Sequence, residues 1–120
     1  MKITFTDLKQ TIEKLAEESP NCVYSNPERF ICSYYRGNCS NDSIGCIVGQ
    51  ACRILGFSEE DLVKMDQHGD FMDVFWSEEF NSRFSLTDDE IHWISTVQGN
   101  QDFGYNWCEA VSAANRKIQP

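Results

Sequence analysis

The feature that most constrains this chain is the stretch of residues 44–55. Its residues are apolar or small except for Gln50 and Arg53. This pattern predicts a helix that is apolar around most of its circumference, and such a helix lies inside a domain. Gly56 follows at the position where a glycine in the left-handed conformation ends a helix without steric cost. We therefore expect a buried central helix around which the remaining elements pack.

Two glycines notch this predicted helix. Gly45 and Gly49 are four residues apart and lie on one helical face, although each costs about 1 kcal/mol of helix propensity relative to alanine. Their expected role is to let another backbone or a ligand approach closely. Asp42 or Ser43 is the expected N-cap.

The elements before the central helix are a helix and a β-hairpin. Thr6 is predicted to cap a helix that ends at about Glu18, because apolar residues recur at i, i+4 and i+7; these are Leu8, Ile12 and Leu15. Two β-prone runs follow, 22–25 and 30–35, and the Asn-Pro-Glu-Arg sequence between them favours a type I turn. We expect this ribbon to be antiparallel and to pack on the central helix.

Three capping-box sequences predict the helices that follow. Ser58 to Asp61 opens a short helix that ends at about Met65, and Thr87 to Glu90 opens a helix that ends near Asp102. Asn106 to Glu109 opens the last helix after a glycine stop, so the final two helices form an αα-hairpin. The predicted fold is mainly α (α+β), a single globular domain over residues 1–120.

The charge of the chain is concentrated in one segment. The net charge is −9, and residues 59–90, the acidic segment, hold 11 acidic and 2 basic residues. The rest of the chain has 8 of each and is neutral. Because an acidic surface repels phosphate backbones, direct nucleic-acid binding is not expected. The acidic segment is either a solvated face, a surface for a basic partner, or a mimic of nucleic-acid charge.

Sequence cues to location and cofactors are also informative. No apolar run approaches the roughly 20 residues of a membrane span, and the start turns polar at Thr6 before a signal-peptide core can form. We therefore expect a cytoplasmic protein whose six cysteines are reduced thiols. No paired Cys-x-x-Cys spacing is present, so we predict no metal and no cofactor.

A thiol enzyme is the catalytic alternative. Cys46 falls in the first turn of the central helix, where the helix dipole lowers a thiol pKa. A base would have to come from His68 or His92 through tertiary contact, and neither lies in a recognisable motif. We therefore predict an inert buried cysteine and no catalytic residues.

A polar cluster provides the candidate ligand site. Gln98, Gln101 and Asp102 share a helical face just before a turn, where they either satisfy backbone groups at the helix–helix corner or project with Gln50 into a pocket for a polar ligand. Candidate stacking surfaces and phosphate contacts complete this hypothetical site: Tyr24, Tyr34 and Trp107, with Arg29, Arg36 or Arg53.

The aromatic run of residues 71–84 provides the candidate partner surface. Four of its aromatic residues are the candidates: Phe71, Phe75, Trp76 and Phe80. Their i, i+4 spacing is explained either by core packing or by a surface for a partner protein.

Two motifs give a resemblance to a known family. The sequence Gly-Cys-Ile-Val-Gly at 45–49 and the sequence Gln-Asp-x-Gly-x-x-Trp at 101–107 together resemble small accessory proteins of tailed bacteriophages, especially those of actinobacteria. The resemblance implies a phage protein that works inside a bacterium. We expect a non-enzymatic protein that binds and inhibits or redirects a host protein, with a defence protein as one candidate. The alternative is an oligomeric small-ligand binder that sequesters a nucleotide immune signal.

Overall fold

The structure is a computed structural model that describes residues 2–25, 33–35, 37 and 44–118. Its elements in chain order are β1 Ile3–Thr4, α1 Phe5–Glu18, α2 Ile47–Ile54, α3 Glu59–Asp66, α4 Phe71–Trp76, α5 Glu78–Asn81, β2 Phe84–Ser85, α6 Asp88–Asp102 and α7 Trp107–Lys117. The mainly helical fold with a small sheet, predicted from the sequence, is confirmed. One hydrophobic core draws buried side chains from each of these helices.

The predicted central helix is α2, and it is shorter at its N-terminus than the apolar pattern suggested. Cys46 is its N-cap, and the Cys46 Sγ accepts a hydrogen bond from the Gly49 N–H at 3.4 Å. The predicted caps at 42 and 43 lie outside the described residues. At the other end Gly56 has φ +111°, and the Phe57 N–H donates to the Cys52 carbonyl at 2.9 Å. These features make the predicted glycine stop a Schellman cap.

The two glycines of the notch admit the backbone of Tyr34. A Cβ placed on Gly49 would lie 2.6 Å from the Tyr34 Cα, and one placed on Gly45 would collide with the Tyr34 carbonyl oxygen. Gly45 also has φ +103° and precedes the helix. The predicted close approach of another chain segment is therefore confirmed, and its occupant is backbone.

The small sheet differs in place and direction from the predicted hairpin. Strands β1 and β2 pair in parallel, with Ile3 opposite Phe84, and most of the predicted turn and second run lies outside the described residues. The first helix is capped by Thr4 rather than Thr6, because Thr4 and Asp7 complete a reciprocal capping box. Propensity alone did not distinguish two threonines that are two positions apart.

The helices of the second half follow the sequence signals. Ser58 and Thr87 are N-caps with complete capping boxes, and Asn106 caps α7. Gly104 has φ +107° and ends the α6 region as predicted. Helices α6 and α7 pack against each other as an αα-hairpin. Within the described residues, every helix is too short or too polar to cross a membrane.

Candidate functional site

The buried glutamines of α6 bind the N-termini of two other helices. The Gln101 Oε1 accepts from the Ile47 N–H at 2.8 Å and from the Trp107 Nε1–H at 3.0 Å. The Gln98 Oε1 accepts from the Phe71 N–H at 2.8 Å. Since the first amides of a helix have no partner inside it, these two side chains cap α2 and α4 from a distant part of the chain. The alternative in which the cluster satisfies backbone groups therefore accounts for the side-chain oxygens of both Gln98 and Gln101.

The other predicted ligand-binding residues differ in burial and in contacts. The Gln50 Nε2 donates to the Gly45 carbonyl at 2.9 Å, and Asp102 is exposed. Tyr34 and Trp107 are fully buried, so neither offers a stacking surface. Tyr24 and Arg53 are half-buried, whereas Arg29 and Arg36 lie outside the described residues. The surface depressions along α1 are lined by none of these candidates.

The Tyr24 hydroxyl and Asp66 hold the segment that carries Tyr34. The Tyr24 hydroxyl accepts from the Ser33 N–H at 3.0 Å and donates to the Ser33 carbonyl at 3.3 Å. The Asp66 carboxylate accepts from the Ser33 hydroxyl at 2.6 Å and from the Tyr34 N–H at 2.7 Å. These bonds anchor the backbone that fills the glycine notch, so Tyr24 and Tyr34 have structural contacts here.

The described cysteines differ in burial and in bonding. Cys46 and Cys52 are free and buried, and Cys108 is free and exposed. Burial, with a smaller contribution from Cys46, raises the pKa of the Cys52 thiol. Cys46 is fully buried and accepts a backbone hydrogen bond, so a substrate cannot reach it.

The expectation that all six cysteines are reduced is wrong for Cys22, which is disulfide-bonded. That expectation rested on the redox compartment, and disulfide formation depends also on the distance between two thiols in the folded chain. Across residues 2–25, 33–35, 37 and 44–118, no three metal-binding side chains come together.

The aromatic run is divided between core and surface. Phe71, Phe75 and Phe80 are buried, as the core-packing alternative for this run expects. Phe71 packs edge-to-face on Phe84, with ring centroids 5.2 Å apart. Trp76 is different, because 62% of its surface is exposed. Only one face of the six-residue helix α4 packs into the core, and Trp76 lies on the opposite face.

Trp76 shares its exposed helix face with two other side chains. Met72 and Trp76 are four residues apart in α4 and 41% and 62% exposed, and Asp73 is exposed between them. Residues at i, i+3 and i+4 lie on one face of a helix. We call this surface, made of Met72, Asp73 and Trp76, the Trp76 face. The indole also contacts the buried Phe75 ring edge-to-face at 5.1 Å, which supports it from below.

Carboxylates border the Trp76 face. Asp70 precedes α4 and Glu78 and Glu79 follow it, and all three are exposed. Asp70 caps α4, since its Oδ1 accepts from the Asp73 N–H at 3.0 Å. Glu79 lies 3.4 Å from the His68 Nε2. Exposed carboxylates therefore lie within the face, at Asp73, and next to both ends of α4 in the chain.

The two basic residues of the acidic segment are bound to carboxylates of α3. The Lys64 Nζ lies 3.3 Å from the Glu60 Oε1. The Arg83 guanidinium contacts both Asp61 oxygens at 3.3 Å and lies over the Phe57 ring at 4.3 Å. Arg83, more than any other group, holds the Asp61 pKa below its usual range. Each basic residue is thus paired, and the remaining nine negative charges of the segment are left uncompensated by its own cations.

Sequence reasoning missed one further exposed aromatic pair. Phe103 and Tyr105 are 78% and 42% exposed, and their ring centroids are 6.3 Å apart. Both flank Gly104 in the turn between α6 and α7, where a side chain has few neighbours. Their position beside the turn glycine was the sequence signal that could have indicated their exposure. The pair lies outside the acidic segment, which makes it a useful reference for the Trp76 face.

Comparison with known proteins gives no relative from which an activity could be transferred. No family model, curated protein or solved structure matches the chain.

Proposed function

We propose that this chain is a non-enzymatic phage accessory protein that acts in the bacterial cytoplasm, where it binds a host protein and inhibits or redirects it. The observation that carries the proposal is the Trp76 face. Tryptophan and methionine are enriched in protein interfaces, and tryptophan is among the residues that contribute most binding energy when covered by a partner. The motifs at 45–49 and 101–107 support the phage origin by resemblance.

The structure also supports binding over catalysis. The thiol considered as a nucleophile, Cys46, is enclosed in the core. The amide oxygens of Gln98 and Gln101, considered for a nucleotide pocket, accept hydrogen bonds from backbone and indole N–H groups. The Trp76 face, in contrast, exposes Met72, Asp73 and Trp76 to solvent.

Affinity capture from bacterial lysate with three forms of the protein tests this function. The forms are wild type, Trp76→Ala and, as the matched control, Phe103→Ala, which removes an exposed aromatic outside the acidic segment. We expect a host protein that wild type and Phe103→Ala retain and Trp76→Ala loses, with all three forms equally stable to heat. A partner retained equally by all three forms would refute a role for the Trp76 face.

A further inference from the structure

The charge around the Trp76 face indicates what kind of partner segment fits it. We infer that the occupant is a basic segment of a protein, with an apolar side chain that covers Trp76 and with lysine or arginine side chains that meet the bordering carboxylates. This inference rests on the proposed function, because it names the partner chemistry of the same surface.

Carboxylates supply the charge in and beside the Trp76 face. Asp73 lies within the face, and Asp70 and Glu78 lie next to the two ends of α4 in the chain, all exposed. An acidic or phosphorylated partner would bring like charges together on binding, which costs several kcal/mol. A basic segment instead replaces repulsion between these carboxylates by attraction.

The chain's own cations compete with those of a partner for carboxylates. A bordering carboxylate is available to a partner only when the chain's own cations do not neutralise it. Lys64 pairs with Glu60 and Arg83 pairs with Asp61. Both cations therefore belong to α3 contacts rather than to the carboxylates beside Trp76.

The charged contacts and the apolar contact contribute to binding in different ways. Exposed charge pairs contribute little affinity individually, whereas a covered indole contributes more. Charge then mainly accelerates association and selects the partner, and the apolar contact slows dissociation. A partner segment that is only basic would leave Trp76 uncovered, and one that is only apolar would leave the carboxylates unpaired. A segment that has both properties makes both kinds of contact.

The test uses two designed peptides of about 15 residues, the length at which isolated helices become marginally stable. Both carry leucines at helical spacing; one has lysines on its polar face and the other has glutamates. Binding of each labelled peptide to the full chain is measured by fluorescence anisotropy. We expect the lysine peptide to bind and the glutamate peptide not to bind. Preference for the glutamate peptide would overturn the inference.

Two pairs of charge-neutralising substitutions separate local from overall charge. Asp73→Asn with Glu78→Gln removes two carboxylates at the Trp76 face, and Glu17→Gln with Glu18→Gln removes two exposed ones from α1. Both variants change the net charge equally. We expect the first to weaken binding of the lysine peptide about tenfold and the second by less than about twofold. Equal effects would show that only overall charge attracts the peptide, which overturns the inference.

Trp76→Ala distinguishes failure of this inference from failure of the proposed function. Loss of peptide binding in Trp76→Ala, together with equal effects of the two charge variants, would keep the surface and reject the basic partner. Wild-type binding in Trp76→Ala would reject the surface and its basic occupant, whereas the proposed function is rejected only if wild type captures no host protein from lysate.

Discussion

The interior hydrogen bonds of Gln101 allow a quantitative prediction about stability. Gln101→Leu introduces an apolar side chain of similar size and removes the oxygen that accepts from the Ile47 N–H and the Trp107 Nε1–H. Gln101 is 1% exposed, so water cannot replace that oxygen. An unsatisfied buried donor costs about 1–3 kcal/mol. Two donors therefore predict a loss of about 2–6 kcal/mol in the free energy of unfolding.

Gln98→Leu and Gln10→Leu calibrate this loss. Within the part of the chain that the structure describes, the Gln98 side-chain oxygen accepts from the Phe71 N–H, and loss of this acceptor should cost about 1–3 kcal/mol. Gln10 is exposed on α1, and its replacement should change stability by less than about 0.5 kcal/mol. Urea unfolding followed by circular dichroism measures all three, with an unchanged m-value as the check that only stability has changed.

A double-mutant cycle identifies the share that belongs to the indole. Trp107→Phe removes the Nε1–H donor, so adding Gln101→Leu in that background should cost about 1–3 kcal/mol less than it does in wild type. The reasoning is refuted if Gln101→Leu unfolds at the same urea concentration as Gln10→Leu, or if the cycle shows no coupling.

Two further predictions concern packing and pH. Gly49→Ala should destabilise the protein by about 2–3 kcal/mol, because the new Cβ would lie 2.6 Å from the Tyr34 Cα. Gly99→Ala, where no described atom lies within 4 Å of the new Cβ, should stabilise it by about 0.4–1 kcal/mol; thermal unfolding of both variants checks the contrast, and equal effects would contradict the glycine notch. The Asp61 pKa is lowered in the folded protein, chiefly by Arg83, so this contact stabilises the fold above about pH 4 and the stabilisation is lost as pH falls through the folded-state pKa. Urea unfolding at several pH values should therefore show Arg83→Met less stable than wild type near neutral pH, with the difference shrinking in acid; a difference that grows in acid would contradict this assignment.

Local sequence signals predicted the helices well. The boundary signals at Ser58, Thr87 and Gly104 act through neighbours within a few residues, and a side chain that bonds the third amide after it does so almost regardless of the rest of the fold. The parallel pairing of Ile3 with Phe84 joins segments far apart in sequence. No local pattern encodes such a contact.

The candidate site was harder to predict for the same reason. The spacing of Gln98 and Gln101 showed that they share a helical face, but not that α2 and α4 begin beside it. The aromatic spacing placed Phe71 and Phe75 on one face and left the exposure of Trp76 undecided. What remained unknown in each case was which element lies opposite, and that depends on the packing of the whole domain.

The long sequence separation of the glutamine caps has a kinetic consequence. The bond from Ile47 to Gln101 spans 54 residues and the bond from Phe71 to Gln98 spans 27. Such bonds can form only after the intervening chain has closed into a loop, and loop closure of this kind slows folding. We therefore expect both to form after the folding transition state, so that their loss accelerates unfolding and leaves the refolding rate nearly unchanged.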